Sequence, residues 1–331
     1  MNPANAALRA DQLGVIVNDS DPASVEVGEY YVLHRNIPRR NIIHVELPAA
    51  VPAIRSSIFE QAYNKVKEQT APGIQAFALT WSAPYRVGCM SITSAFAMGD
   101  ATRYCAKGCL TTAPNPYFDS SSEQPYSDFQ IRSTMTIAAS TVENARLLID
   151  RGIQSDFTNP RAKAYLVQTK DKARNSRAPS FALAKRRFSS QLPVTIVRSE
   201  GIHDKFDIMF YFTGTTTVPY LDPVGILPGA IADHLTSSGG RLTNSRQMSA
   251  LRWLEAGATG SYGMVVKPCN FPQKFPNPVV AMKHYLAGDT LIEAYWKSVI
   301  WPGKGIFIGE PLARPYGERQ KSKSEQTVDE P

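Results

Sequence analysis

The sequence predicts an α/β protein with a largely parallel sheet flanked by helices. Three observations lead there. Short continuous apolar runs, suited to strands covered on both faces, recur along the chain. Between them lie stretches whose apolar residues repeat at helical spacing, and capping or breaking residues separate the two kinds. The composition is that of a globular chain: 331 residues, 43% of them apolar and 20% charged, enough to bury a large core.

The first strand is "LGVIV", Leu13 to Val17. It runs into Asn18-Asp-Ser-Asp-Pro22, where Asp21 can cap a helix and Pro22 can occupy its first turn. That helix carries Val27, Tyr30, Tyr31 and His34 on one side and stops at Asn36-Ile-Pro38. "NIIHVEL" is a second strand. Ile54, Ile58, Ala62 and Val66 then describe a helix that ends at Pro72-Gly73, before the strand "IQAFALTW". Residues 86–140 hold three of the four cysteines, Pro114, Pro116, Pro125 and a polar run from Asp119 to Glu123, and read as a long irregular insertion covering the domain. A helix around Ala145, Leu148 and Ile149 follows, then the strand "AKAYLVQT" and a basic, weakly patterned stretch from Lys170 to Arg187. "VTIV", "DIMFYFTG", "GAIADHL", "GATGSYGMVV" and "GIFIGEPL" are the later strands, with helices around Leu251 and over 278–286 and 291–299. The expected organisation is one α/β domain over residues 1–317, with 86–140 as its insertion, and an apolar-poor, disordered tail at 318–331.

The formal charge of +7 comes from scattered residues, with only Arg39-Arg40 and Lys185-Arg186-Arg187 clustered, so no nucleic-acid footprint is read. No segment approaches the length of a transmembrane helix and no secretory signal is visible. The chain is expected to be soluble, either cytoplasmic or exported with its leader absent from this sequence. Cys105 and Cys109 have a C-x3-C spacing that fits a local disulfide or two inert thiols better than a metal site. No cofactor motif is read, because neither Gly239-Gly240 nor Gly257-x-x-Gly260 is followed by the lysine of a phosphate loop.

The opening "VIVNDSDPASVEVGEYYVLHRNIPRRNIIHVELP", the block "WLEAGATGSYGMVVKPCNFPQKFPNP", the segment "GDTLIEAYWKSVIWPGKGIFIGEPLARP" and "DHLTSSGG" together resemble an uncharacterised bacterial family found in genomes that also carry exosortase protein-sorting systems. The resemblance runs over about residues 13–316 and implies no activity. The C-terminal half is more distantly similar to gingipain-like and caspase-like cysteine peptidases, with Gly257 to Gly263 and Gly309-Glu310-Pro311 as the matching strand elements. This sequence departs from them where the chemistry sits. Thr213-Gly214-Thr215 stands where their histidine belongs, and Asp233-His234 stands near their cysteine. No thiolate–base dyad is recognised. The resemblance therefore implies a shared architecture and a noncatalytic peptide- or protein-binding role linked to the cell envelope or protein sorting.

Parallel strands bring their carboxyl ends to one rim, where ligands bind. Asn18, Asp19, Thr213, Ser237, Tyr262, Lys267 and Glu310 are the expected binding residues on that rim. The alternative reading is a hydrolase in which His234 is general base, Asp233 or Glu310 orients it and Ser261 or Ser237 is the nucleophile. As adjacent residues of a strand, Asp233 and His234 would point to opposite faces. His34, His44 and His284 are read as packing or surface residues, and Cys269 beside Lys267 as an ordinary loop thiol without a base.

Overall fold

The computed structural model describes residues 7–106, 108–222 and 224–318, so most of the expected disordered tail lies outside the described residues. In chain order the elements begin with β1 (Leu13–Asn18), α1 (Pro22–His34), β2 (Ile42–Val45), β3 (Ala53–Ile54), α2 (Ser56–Gln69) and β4 (Ala76–Leu79). The middle of the chain forms β5 (Arg86–Val87), β6 (Met90–Ser91), α3 (Ile92–Met98), α4 (Pro125–Phe129), β7 (Ser133–Thr136), α5 (Val142–Ser155), β8 (Lys163–Gln168), α6 (Phe181–Phe188), β9 (Val194–Arg198) and β10 (Ile208–Gly214). Then follow β11 (Ile226–Leu235), α7 (Leu251–Glu255), β12 (Gly260–Met264), α8 (Pro278–Leu286), α9 (Leu291–Lys297) and β13 (Gly305–Gly309).

Ten strands form one sheet in the order β2-β1-β4-β7-β13-β12-β11-β10-β8-β9, and β3, β5 and β6 form a small second sheet. The predicted α/β class, with a large and mostly parallel sheet flanked by helices, is what the chain adopts. Every residue of β1, β4, β10 and β12 is buried, as expected of strands covered on both faces. The start of α1 is also as read: the Asp21 side chain accepts from the Ala23 amide and Pro22 opens the helix. Gly28 is required where α1 crosses β1, because a Cβ there would meet Val17 at 2.3 Å.

Chain direction matters for the site. Tyr85, just beyond β4, donates to Asn244, beyond β11, which puts the carboxyl ends of those distant strands on the same edge. β12 runs parallel to β11: Ile231 pairs with Gly260, the Thr259 amide before β12 donates to the Ala230 carbonyl, and the Gly240 amide beyond β11 donates to the Met264 carbonyl at the end of β12. β13 is the exception and runs antiparallel to β12 through five residue pairs, from Gly260 beside Gly309 to Met264 beside Gly305. Its contact with β7 is a single pair, Ile308 beside Thr136, of parallel type and too short to fix a direction. The five-pair register does fix it, so β13 ends at the amino edge of its parallel neighbours.

The segment 86–140 is less irregular than expected. It contributes β7, a central strand whose four residues are all buried, and α3, nearly all of it buried. "STMT" hides its nature because hydroxyl residues replace the apolar run. Two of the three hydroxyls are paired: that of Thr134 donates to the Arg132 carbonyl and that of Thr136 to the Trp81 carbonyl, 55 residues away, while Ser133 Oγ has no partner. The 170–187 stretch, weakly patterned in sequence, ends in α6, which buries Phe181, Ala184 and Phe188. The four cysteines form two disulfides, Cys89–Cys105 and Cys109–Cys269. The thiol expected at Cys269 is therefore not free, and the local Cys105–Cys109 pairing is not formed.

Candidate functional site

The carboxyl edge is where polar loops gather. β1 connects to β2 on one side, while β4 and β7 lie on its other side, so the strand order reverses between β1 and β4. Connections leave that point to opposite sides and a crevice opens between them. A cavity of about 490 Å3 occupies it, with walls from the loops after β1, β2, β4, β7 and β11. Small side chains (Ala23, Ala50, Ala83, Ala139) and hydroxyls (Ser82, Ser140, Thr141, Thr243) alternate with Trp81, Leu242 and Leu251, and Asp21 is the one charged residue of the lining.

The helix starts at this cavity are already occupied. The Asp21 carboxylate caps α1 and the Thr141 hydroxyl accepts from the Asn144 amide to cap α5. With no cation in the lining and both first turns capped, the cavity suits neutral polar or apolar groups better than phosphates. Ser82 ties the β4 and β7 loops together, donating to the Ala139 carbonyl and accepting the Ala139 amide at 2.9 Å. Thr80 to Tyr85 are contiguous in the chain, whereas Ser140, Thr141 and Thr243 join them from distant loops, a convergence that no local pattern records.

The expected rim residues divide. Asn18 lies at the carboxyl edge but is buried, and its amide clamps the Leu47 backbone through both N–H and C=O. Asp19 is on the surface beside His44, with Nδ1 to Oδ1 at 2.7 Å. Ser237 is half-buried and bonded to Gln247. Lys267 is exposed in the loop after β12. Thr213 is buried, its carbonyl accepting from Arg177. Tyr262 is buried inside β12, donating to the Lys274 carbonyl at 2.6 Å.

Glu310 is not on this rim. Because β13 runs against its neighbours, Glu310 emerges at the opposite edge, where Tyr31 donates to it at 2.6 Å and Arg35 pairs with both it and Asp156. Ser261 belongs to the amino half of β12, is fully buried, and its Oγ has no hydrogen-bond partner.

Asp233 and His234 do point to opposite faces, and neither reaches a Ser261 nucleophile site. His234 is 1% exposed. Its Nδ1 accepts from the Trp253 indole at 3.0 Å, so the proton sits on Nε2, which faces the Met248 carbonyl at 3.1 Å. Both nitrogens are committed to structure, and the expected general base is a core histidine. Asp233, on the other face, lies 2.6 Å from Arg177 Nη2. The guanidinium also donates to the carbonyls of Thr213 and Pro276, so one cation ties the Asp233 carboxylate to two backbone segments. Burial raises the Asp233 carboxyl above its ordinary range, with Arg177 opposing.

Burial likewise pushes the His234 imidazole down to about 4, the Met248 carbonyl opposing and the charges of Arg177 and Arg174 adding to the shift. A histidine with a lowered folded pKa contributes its full stability above about pH 6.5 and loses it as the pH falls toward 4, because the unfolded chain takes up the proton first. The loss is about 3 kcal/mol over that window. Urea unfolding at a series of pH values is expected to show this acid-side decline in the native chain and a flatter profile in His234→Leu. Parallel profiles would contradict it.

Among the described residues, no group of three or more His, Cys, Asp or Glu side chains is placed to hold a metal ion, and no helix is long and apolar enough to cross a membrane. In comparisons with known proteins, no family model, no curated protein and no solved structure matches the chain.

Proposed function

We propose that this chain is a noncatalytic, peptide- or protein-binding member of the caspase-like, gingipain-like fold, linked to cell-envelope or protein-sorting systems of the exosortase kind. The observation that carries the binding role is the cavity at the strand-order reversal. Five loops build it, small and hydroxyl side chains line it, and its one carboxylate, Asp21, caps α1 while Ser82 and Thr141 are bonded to backbone groups. Two disulfides support maturation in an oxidising compartment, as an envelope role requires. The hydrolase alternative has no comparable support, since its acid, base and nucleophile are buried on different faces and levels of the sheet.

Selection from a random dodecapeptide display library tests the proposal. Enriched peptides, resynthesised and titrated calorimetrically, are expected to bind the native chain and to bind Ala139→Trp, which fills the cavity, about tenfold or more weakly. Mass spectrometry of the same mixtures is expected to show intact peptide. Cleavage, or affinity unaffected by Ala139→Trp, would overturn the reading.

A further inference from the structure

The ten-stranded sheet ends on β9, whose outer side pairs with no other strand. The Ala164 amide of β8 donates to the Pro193 carbonyl before β9, while Lys163 donates the opposite way, to the Asp207 carbonyl before β10. Backbone groups alternate in direction along a strand. With Ala164 beside Val194 in register, the main chains of Thr195 and Val197 face β8 and those of Ile196 and Arg198 face outward. Among the described residues, no hydrogen bond reaches those outward amides and carbonyls. Thr195 and Arg198 are exposed and Ile196 and Val197 half-buried, so the edge is within reach of solvent. Alternating donors and acceptors on an open edge are a template for one more strand.

Charge selects which strand. Arg198 ends β9, Lys170 and Lys172 follow β8 at the same carboxyl edge, and Lys185, Arg186 and Arg187 lie in the last turn of α6, which packs against β9. All six are exposed, and among the described residues none is in an ion pair. The acids of the region are engaged elsewhere: Asp171 with Arg174, Asp207 with Lys163, and Glu200 with the Lys170 amide. Lys170 and Arg198 line one open hollow of about 490 Å3, and Lys170 and Lys172 an adjoining one of about 660 Å3. The other edge of the sheet differs, because Arg39 and His44 beside and on β2 are paired with Glu29 and Asp19. An unanswered cationic edge repels the same edge of a second copy and attracts an acidic strand. A nucleic acid would meet the charge but carries no ladder of amides and carbonyls to answer the backbone, so the two features together favour a peptide.

We propose that the β9 edge is a docking surface that takes an acidic, extended segment of another protein as an added strand. It shares no residue with the cavity at the strand reversal and stands whether or not that cavity binds a peptide. The probe is acetyl-(Glu-Val)4-amide, titrated into the full chain by NMR. Saturable shifts at the Ile196 and Arg198 amides are expected. Binding should be about tenfold weaker for the same peptide N-methylated at every residue, which keeps the charge and removes the backbone donors. Ile196→Pro, followed at Arg198, should weaken it about as much, since an edge strand tolerates proline where the amide faces outward. Lys170→Glu/Arg198→Glu is expected to weaken binding about tenfold and to flatten its salt dependence. Circular dichroism checks that the variants fold, and Ala139→Trp should bind the probe like the native chain. No saturable binding, or equal binding of acetyl-(Lys-Val)4-amide, would overturn the proposal. Equal binding of the N-methylated peptide would reduce the edge to a charged patch suited to any polyanion. A dimer seen by sedimentation and abolished by Ile196→Pro would assign the edge to a second copy instead.

Discussion

Asp233→Ala is expected to destabilise the fold by about 3–5 kcal/mol, the usual cost of leaving one member of a buried ion pair alone. The cost is asymmetric between the partners. A guanidinium cannot shed its proton, so Arg177 without Asp233 remains a charge 4% exposed to solvent. Arg177→Met leaves a carboxyl whose pKa burial already raises, and that group can become neutral by taking up a proton. Arg177→Met should therefore cost less than Asp233→Ala, and its cost should shrink as the pH is lowered. The double variant Arg177→Met/Asp233→Leu is expected to recover much of the loss, because an apolar pair of similar volume avoids both desolvation penalties. Urea midpoints for the four proteins at two pH values check this. An Asp233→Ala midpoint close to that of the native chain would show that the pair is not buried as described.

The same pair illustrates what could be read from the sequence. Local chemistry was legible wherever the cause lay within a few residues. "LGVIV" followed by "NDSDP" specified β1, the Asp21 cap and α1, and alternation specified that Asp233 and His234 face apart. Causes that lie far along the chain were not legible. His234 is a core residue because Trp253 folds back on it, 19 positions away, and Asp233 is neutralised by an arginine from the weakly patterned stretch before α6. Glu310 lies on the edge opposite to the expected one, and nothing in "GIFIGEPL" records the direction of β13. That direction is set by where α9 delivers the chain, and the preceding strands gave only the parallel precedent. The cavity at the strand reversal was half legible. Its position follows from strand order, whereas its lining requires knowing which loops meet.

Loss of the Cys109–Cys269 disulfide is the other change expected to have a large effect. Four cysteines permit three pairings and sequence does not choose among them. The structure joins Cys109 to the loop after β12 and closes 160 residues, against 16 for Cys89–Cys105. In the chain-entropy account the longer closure stabilises by about 5 kcal/mol and the shorter by about 3, with measured effects between about 0 and 5. The constraint acts on the unfolded chain, because noncovalent bonds hold the insertion in the folded one: Asn115 donates to the carbonyls of Trp296 and Val299. Cys109→Ser/Cys269→Ser is therefore expected to keep the native circular dichroism yet unfold at lower urea, with a steeper slope as the released chain exposes more surface. Cys89→Ser/Cys105→Ser should show the smaller shift. The bond also decides thiol chemistry at Cys269: a peptide electrophile should label that residue only after reductant is added. Equal midpoints with and without the Cys109–Cys269 bond, or labelling of Cys269 in the untreated protein, would mean that the insertion is not covalently tied to the sheet.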